Sequence, residues 1–180
     1  LIGYVFLLGY LARLVRNVVA GLERPLPDWT ELGEYFAEGL KLLAVGFLYM
    51  LPIVALIVAF GVPSAVLGGV WDERVGEALF STVLCFTVPL GFLVMLVLPA
   101  ALLRVITLRR FSAAFEFQQI YDFIRRNFVN YLLAIVTYLV ANFAAQFGVI
   151  LCCIGVIFTG FWSLVVTMYG FAQVCRLDSR

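Results

Sequence analysis

The segment Ala78–Leu103, ALFSTVLCFTVPLGFLVMLVLPAALL, runs for 26 residues without a charged side chain. About 20 consecutive apolar residues in an α-helix cross the roughly 30 Å of hydrocarbon in a bilayer. Two more uncharged segments flank it, Leu42–Trp71 before it and Asn127–Cys175 after it. The first is long enough for one span and the second for two. The sequence therefore predicts an all-α polytopic transmembrane helix bundle with four full spans.

The composition agrees with a membrane protein. The 180 residues are 64% hydrophobic and 13% charged, with a mean hydropathy of +1.09, whereas soluble domains contain about 45–50% apolar and about 25% charged residues. A water-soluble core is therefore excluded. The formal net charge of +1 gives no reason to expect a nucleic acid as partner.

Several kinds of chemistry are disfavoured by the residues themselves. The chain has no histidine, which excludes Ser–His and Cys–His catalytic pairs and the usual histidine-containing zinc sites. No GxSxG, P-loop or metal-ligand spacing occurs. Glu31, Glu34 and Glu38 are predicted to share a solvated helix face, and no carboxylate lies deep within a predicted span. We expect no enzyme activity, no cofactor and no metal.

The distribution of charge predicts the topology. Leu1–Leu11 is apolar but too short to span, and we interpret it as a truncated first span that ends near Ala12. Eleven of the twelve basic residues fall on one side of the predicted bundle, the cytoplasmic side by the positive-inside rule, and the C-terminus lies there too. The predicted full spans are Leu42–Val62, Ala78–Leu103, Phe128–Phe147 and Ile150–Val174.

Two amphipathic segments are predicted as interfacial helices in the plane of the cytoplasmic membrane surface. The apolar face of the first consists of Trp29, Leu32, Tyr35, Phe36, Gly39, Leu40 and Leu43. That of the second consists of Phe117, Ile120, Tyr121, Ile124 and Phe128. The candidate docking residues are the aromatic ones, Trp29, Tyr35, Phe36, Phe117 and Tyr121. They form a docking surface or lipid-sensing collar, or they simply anchor the bundle and shape its rim.

A weak internal repeat accompanies these segments. A helix exit, a polar linker, an amphipathic segment and a span follow one another twice, at an offset of roughly 90 residues. We interpret residues 1–180 as a single membrane domain with a parallel repeat of about 9–98 and 99–176.

Polar and small residues within the spans are candidates for a site. Asn142 and Gln146 stand one turn apart, either as interhelical hydrogen-bonding residues or as a solute site. Thr159, Ser163 and Thr167 recur every four residues, as a packing seam or a pore lining. The four cysteines lack CxxC spacing and are expected to act as small hydrophobes, with a disulfide from Cys85 to Cys152 or Cys153 as the alternative.

The first quarter of the chain carries a recognisable pattern. It consists of Gly9-Tyr10, Arg13, Gly21, Leu26-Pro27, Trp29 and Phe36-Ala37-Glu38-Gly39-Leu40. This pattern resembles an uncharacterised prokaryotic membrane family catalogued as domain of unknown function 4013. The resemblance implies the plasma (inner) membrane of a bacterium or archaeon, and it supplies no catalytic residues.

Two functional hypotheses remain from the sequence. The first is a non-enzymatic accessory or scaffolding subunit that packs in the lipid bilayer against a partner membrane complex or against further copies of itself. The alternative is a small permease or lipid-handling protein. The spans lack ionisable groups, and the 17 Phe and 8 Tyr residues supply a lipid-compatible surface, which favours the first.

Overall fold

The computed structural model describes residues 2–28, 31–63, 66, 73–147 and 154–178, and it is 91% helical with no strand among those residues. The helices are α1 (Ile2–Val19), α2 (Leu32–Leu56), α3 (Glu73–Leu108), α4 (Phe117–Arg126), α5 (Phe128–Gln146) and α6 (Ile154–Asp178). A π-helical segment, Ile57–Gly61, follows α2, and a 3-10 helix, Phe111–Phe115, precedes α4. The predicted all-α fold class is confirmed.

Five helices in the described part of the chain are long and apolar enough to cross a membrane. They are Ile2–Val19, Leu32–Gly61, Gly76–Leu108, Phe128–Gln146 and Phe158–Asp178. The structure is thus consistent with a multi-pass membrane protein. It corrects the prediction for the first helix, which does not end near Ala12 but continues to Val19. Arg13 and Arg16 lie within this helix, because arginine is a good helix former, and they pair with Glu31 and Glu38.

The turn after α1 is defined by backbone hydrogen bonds. The Gly21 N–H donates to the Val18 carbonyl at 3.0 Å, and the Leu22 N–H donates to the Asn17 carbonyl at 3.1 Å. This is a Schellman motif, which needs a left-handed residue after the helix. Gly21 supplies it with a φ of 75°. The Asn17 amide then donates to the Pro25 carbonyl at 2.9 Å and holds the returning chain against α1.

The chain divides into two compact units, which we call unit 1 (Leu1–Leu43 and Ala100–Arg180) and unit 2 (Ala44–Pro99). In unit 1, α6 packs along both α5 and α1. The largest fully buried side chains described in unit 1 are Leu11, Leu14, Val15, Leu103 and Ile120. The predicted single membrane domain and its repeat of about 90 residues stay predictions.

Only one of the two amphipathic segments forms a separate helix. The first is the beginning of α2, which runs without a break from Leu32 to Leu56. The prediction of a separate helix there was wrong, because no break divides the segment from the rest of α2. That the segment lies in the plane of the membrane surface stays a prediction. The second segment forms a helix of its own, α4, which ends at Arg126 before α5 begins at Phe128.

The ends of several helices lie together in unit 1. Asn127, between α4 and α5, donates a hydrogen bond from Nδ2 to Asp178 Oδ1 at the end of α6, at 2.7 Å. A Cβ at Gly21 would lie 3.2 Å from Nη2 of Arg176. The exits of α1, α4 and α6 therefore share one end of unit 1. That this end is cytoplasmic stays a prediction.

Candidate functional site

The crossing of α1 and α2 is built on two glycines. A Cβ at Gly9 would overlap the backbone carbonyl of Tyr35, and a Cβ at Gly39 would overlap the carbonyl of Val5. The same Cβ at Gly39 would lie 3.0 Å from the backbone nitrogen of Gly9. The two helix backbones are thus in direct contact, the approach that small residues permit between membrane helices. This contact fixes where the neighbouring charged side chains meet.

Charged side chains pair across this crossing. Arg13 lies 3.2 Å from Glu31 and 3.4 Å from Glu34, in ion pairs in which Arg13 is half-buried and both carboxylates are exposed. One turn further along α1, Arg16 binds Glu38 with both terminal nitrogens of its guanidinium group. The Arg16 and Glu38 side chains are only 15% and 23% exposed. Glu31 and Glu34 are exposed, as the predicted solvated face requires, whereas Glu38 is half-buried against Arg16, and the prediction is wrong for that residue.

A cavity of about 280 Å³ adjoins the Arg16–Glu38 pair in unit 1. Its charged lining consists of Arg16, Lys41, Arg109 and Glu38. The rest of the lining is uncharged: Ala12, Leu42, Val105, Ile106 and Phe111. Three cations therefore face one carboxylate, and the cavity carries a formal charge of +2. Such a site can hold an anion.

Arg109 reaches this cavity from an unusual backbone conformation. It follows the last residue of α3, and its φ of 55° lies in the left-handed region. Residues with a Cβ rarely adopt this conformation, and glycine or asparagine usually occupies such a position after a helix. Among the described residues, neither Lys41 nor Arg109 takes part in an ion pair. The cavity thus holds two cations that α1 and α2 do not neutralise.

A second charged contact connects α3 to α4. Arg104 lies 3.1 Å from a carboxylate oxygen of Glu116 and also donates to the side chain of Gln119. On α4, Ile120 and Phe123 are buried, whereas the predicted docking residues Phe117 and Tyr121 are about 60% exposed. The predicted apolar face is therefore divided. Ile120 is buried together with Phe123, a residue that the predicted apolar face did not include.

The predicted docking residues of the first segment are not brought together as an open surface. Tyr35 is buried, and its hydroxyl donates to the Asp28 carbonyl at 2.5 Å. Phe36 is 39% exposed and packs against the Phe6 ring, with centroids 5.3 Å apart. Trp29 lies outside the described residues. In this segment the described aromatic residues therefore serve the α1–α2 contact.

Asn142 and Gln146 lie one turn apart on α5, and both are exposed. The Asn142 side-chain amide donates to the carbonyl of Tyr138 in the same helix, at 2.9 Å. Among the described residues, no other helix supplies a hydrogen-bond partner to either amide. The two predicted residues are therefore neighbours on the outside of α5.

The hydroxyl residues of α6 have a different position. Thr159 Oγ1 lies 3.0 Å from the carbonyl oxygen of Ala145 on α5 and 2.9 Å from that of Gly155 on its own helix. Ser163 and Thr167 are buried. Because α6 packs along α5 and α1, this arrangement supports the packing interpretation. That these residues line a path stays a prediction.

The structure describes part of the residues that the metal and disulfide predictions concern. No three histidine, cysteine or acidic residues described in the structure are grouped closely enough to hold a metal ion. Cys85 and Cys175 are free thiols there. Cys152 and Cys153, the proposed disulfide partners of Cys85, lie outside the described residues.

The sequence contains a signal for the ion pairs. Glu31 just before α2 and Glu34 and Glu38 on α2 recur at helical spacing, as do Arg13 and Arg16 on α1. A row of one charge on a helix that precedes a span, and a matching row on the neighbouring helix, indicate a helix pair. The cavity had no such signal, because Lys41 and Arg109 are far apart in the chain.

Comparison with known proteins places the chain in a family. The family model described as "Protein of unknown function (DUF4013)" matches residues 1–154. No curated protein and no solved structure matches the chain significantly. The resemblance noted in the first quarter is thus confirmed over most of the chain. The matched region contains the α1–α2 crossing, the basic cavity and Asn142.

Proposed function

The chain belongs to the DUF4013 family of proteins of unknown function, and from this premise we propose that it is a non-enzymatic accessory or scaffolding subunit of a membrane complex. In this proposal the bundle packs laterally against a partner membrane protein. The location is the plasma membrane of a bacterium or archaeon, with the C-terminus in the cytoplasm.

The observation that carries the proposal is the exposed amide of Asn142 on a helix long enough to span. Polar side chains within a membrane span normally face protein or a water-filled cavity, because lipid satisfies no hydrogen bonds. The Asn142 amide meets only a carbonyl of its own helix among the described residues. A transmembrane helix of the partner, with a hydroxyl or amide side chain opposite Asn142, would complete its hydrogen bonds.

The surroundings of Asn142 support lateral packing. Phe143 beside it is 65% exposed and offers a large apolar contact. Gln146, one turn along, extends the polar row. The alternative of a small permease has less support, because Ser163 and Thr167 are buried in the helix packing of unit 1.

The test is extraction from native membranes in a mild detergent, with native electrophoresis and quantitative mass spectrometry of the complex. We expect one other membrane protein to co-purify with the wild-type chain at a fixed stoichiometry. Asn142→Leu should release that protein while the chain itself remains folded. Val129→Leu is the matched control, because Val129 is 67% exposed on the same helix and has no polar group.

Two results would overturn the proposal. One is a wild-type chain that migrates alone and supports solute flux when reconstituted in liposomes, which would favour the permease. The other is a complex that survives Asn142→Leu as well as it survives Val129→Leu. Release of a second copy of the chain, in place of a different protein, would make the scaffold a homo-oligomer.

A further inference from the structure

We propose that the basic cavity of unit 1 binds a phosphate group, either in the headgroup of an anionic lipid or as free phosphate. This inference goes beyond the scaffolding role and does not depend on any protein partner. It rests on the charge, the walls and the backbone geometry of the cavity.

The charge balance favours an anion. Glu38 accepts from both terminal nitrogens of Arg16 and neutralises that guanidinium group. The Arg16 Nε is buried and has no hydrogen-bond partner among the described residues. Lys41 and Arg109 bring two further positive charges to the same cavity. A phosphate group carries one or two negative charges and several acceptor oxygens, which suits the donors of lysine and arginine side chains.

The uncharged walls favour a group that enters from the membrane. The cavity volume of about 280 Å³ is near the lower end of the roughly 300–1,000 Å³ typical of small-molecule sites. It therefore suits a headgroup and not a whole lipid. Leu42 and Val105 line its wall, and Phe111, which is 40% exposed, stands beside them. Glycerol and the first acyl carbons can contact these residues while the phosphate contacts the cations.

The backbone of Arg109 supports a role for its side chain. A left-handed backbone conformation is unfavourable for any residue with a Cβ, so glycine at this position would make the fold more stable. Arginine there instead brings a cation to the cavity at the end of a candidate span. Basic pockets between membrane helices at the cytoplasmic surface are suited to anionic headgroups.

The experiment titrates the purified full-length chain in uncharged detergent with phosphatidic acid and counts bound lipids by native mass spectrometry. We expect one tightly bound lipid per chain. Lys41→Gln with Arg109→Gln should weaken its binding by at least about tenfold, since two charge-assisted hydrogen bonds are lost. The matched control is Arg125→Gln with Arg126→Gln, which removes the same charge from exposed positions on α4 and should change affinity less than twofold.

A second arm separates the two sources of phosphate. Inorganic phosphate at millimolar concentration that displaces the lipid from the wild-type chain, but not by ionic strength alone, indicates a site for phosphate itself. Lipid binding that resists inorganic phosphate and is lost in the cavity variant indicates a headgroup site. Either result supports the proposal. Equal weakening in the cavity and control variants, or a wild-type chain that binds neither phosphatidic acid nor inorganic phosphate, overturns it.

A third variant guards against an effect on folding. Glu38→Gln removes the carboxylate that neutralises Arg16 and raises the charge of the cavity. If the chain binds phosphate here, this variant should bind phosphatidic acid more tightly than the wild type. A loss of binding in a variant that circular dichroism shows to be folded would contradict the proposal.

Discussion

Two amphipathic segments of similar pattern, residues 31–43 and 117–128, take different structures in unit 1. The first continues directly into the rest of α2, whereas the second ends at Arg126 and the chain bends before α5. At the bend, Asn127 has a φ of −107° and a ψ of 25°, and its side chain bonds the end of α6. The first segment instead meets α1 through Gly39 and Glu38. An amphipathic pattern therefore does not determine whether a helix continues or ends. The contacts that the segment makes with a neighbouring helix determine it.

The largest effect should come from filling the glycine contact of the first segment. Gly39→Val places side-chain atoms where the Val5 carbonyl lies, so α1 and α2 must separate. We expect a loss of about 3 kcal/mol or more in the free energy of unfolding, measured by titration with sodium dodecyl sulfate. Gly33→Ala is the control, because nothing lies within 4 Å of a Cβ there, and it should leave stability unchanged or slightly raised.

The next effect concerns the ion pairs of the first segment. Arg16→Gln leaves the Glu38 carboxylate, only 23% exposed, without its partner, and should cost about 2 kcal/mol in the same titration. Arg13→Gln removes exposed pairs and should cost less than about 1 kcal/mol. Equal losses in the two variants would mean that burial of Arg16 contributes nothing.

A smaller effect is expected at the bend of the second segment. Asn127→Ala removes the hydrogen bond to Asp178, which should lower the free energy of unfolding by about 1–2 kcal/mol. It also replaces a weak helix former with a strong one, which favours a continuous helix through this position. If the bend depends on this side chain, α4 and α5 should straighten towards one helix. Spin labels at residues 121 and 139 would then approach the roughly 27 Å of a continuous helix. An unchanged label distance in a destabilised variant would show that other contacts hold the bend.

The smallest effect tests the left-handed residue that leads into the second segment. Arg109→Gly relieves the unfavourable backbone conformation and should raise stability by about 1 kcal/mol at most, while binding of phosphatidic acid falls. Arg110→Gly removes the same charge at a residue with extended backbone and should give no such gain. A thermal melt in detergent would distinguish the two variants. A fall in stability of the Arg109 variant would refute the strain argument.

Much of the fold was predictable because it depends on local averages. The helices Phe128–Gln146 and Glu73–Leu108 lie where the uncharged segments predicted them, since a span requires only about 20 apolar residues in succession. The end of α1 was misplaced because Arg13 and Arg16 were taken as a polar boundary. Their carboxylate partners lie on α2 or just before it, and a local window of sequence around the arginines does not contain them.

The candidate site was less predictable for the same reason. Asn142 was found from the sequence because one polar residue in an apolar helix is visible without any neighbour. The cavity was not found, because Lys41 and Arg109 are 68 positions apart in the chain and meet only when α2 and α3 are both in place. Ile120 and Phe123 show that periodicity has a similar limit as a predictor. It indicated an apolar face on α4, but contacts with other helices determine which of the apolar residues are buried.

By itself the sequence indicated the all-α fold class, the helices long and apolar enough to span a membrane, and the family, because hydropathy and short motifs can be read along the chain. Tertiary structure alone decided that the first amphipathic segment joins α2, that Arg16 pairs with Glu38, and that three cations share one cavity. These features need two backbones in contact at Gly9 and Gly39. Contact between distant residues depends on how helices cross, and a linear pattern does not specify the crossing.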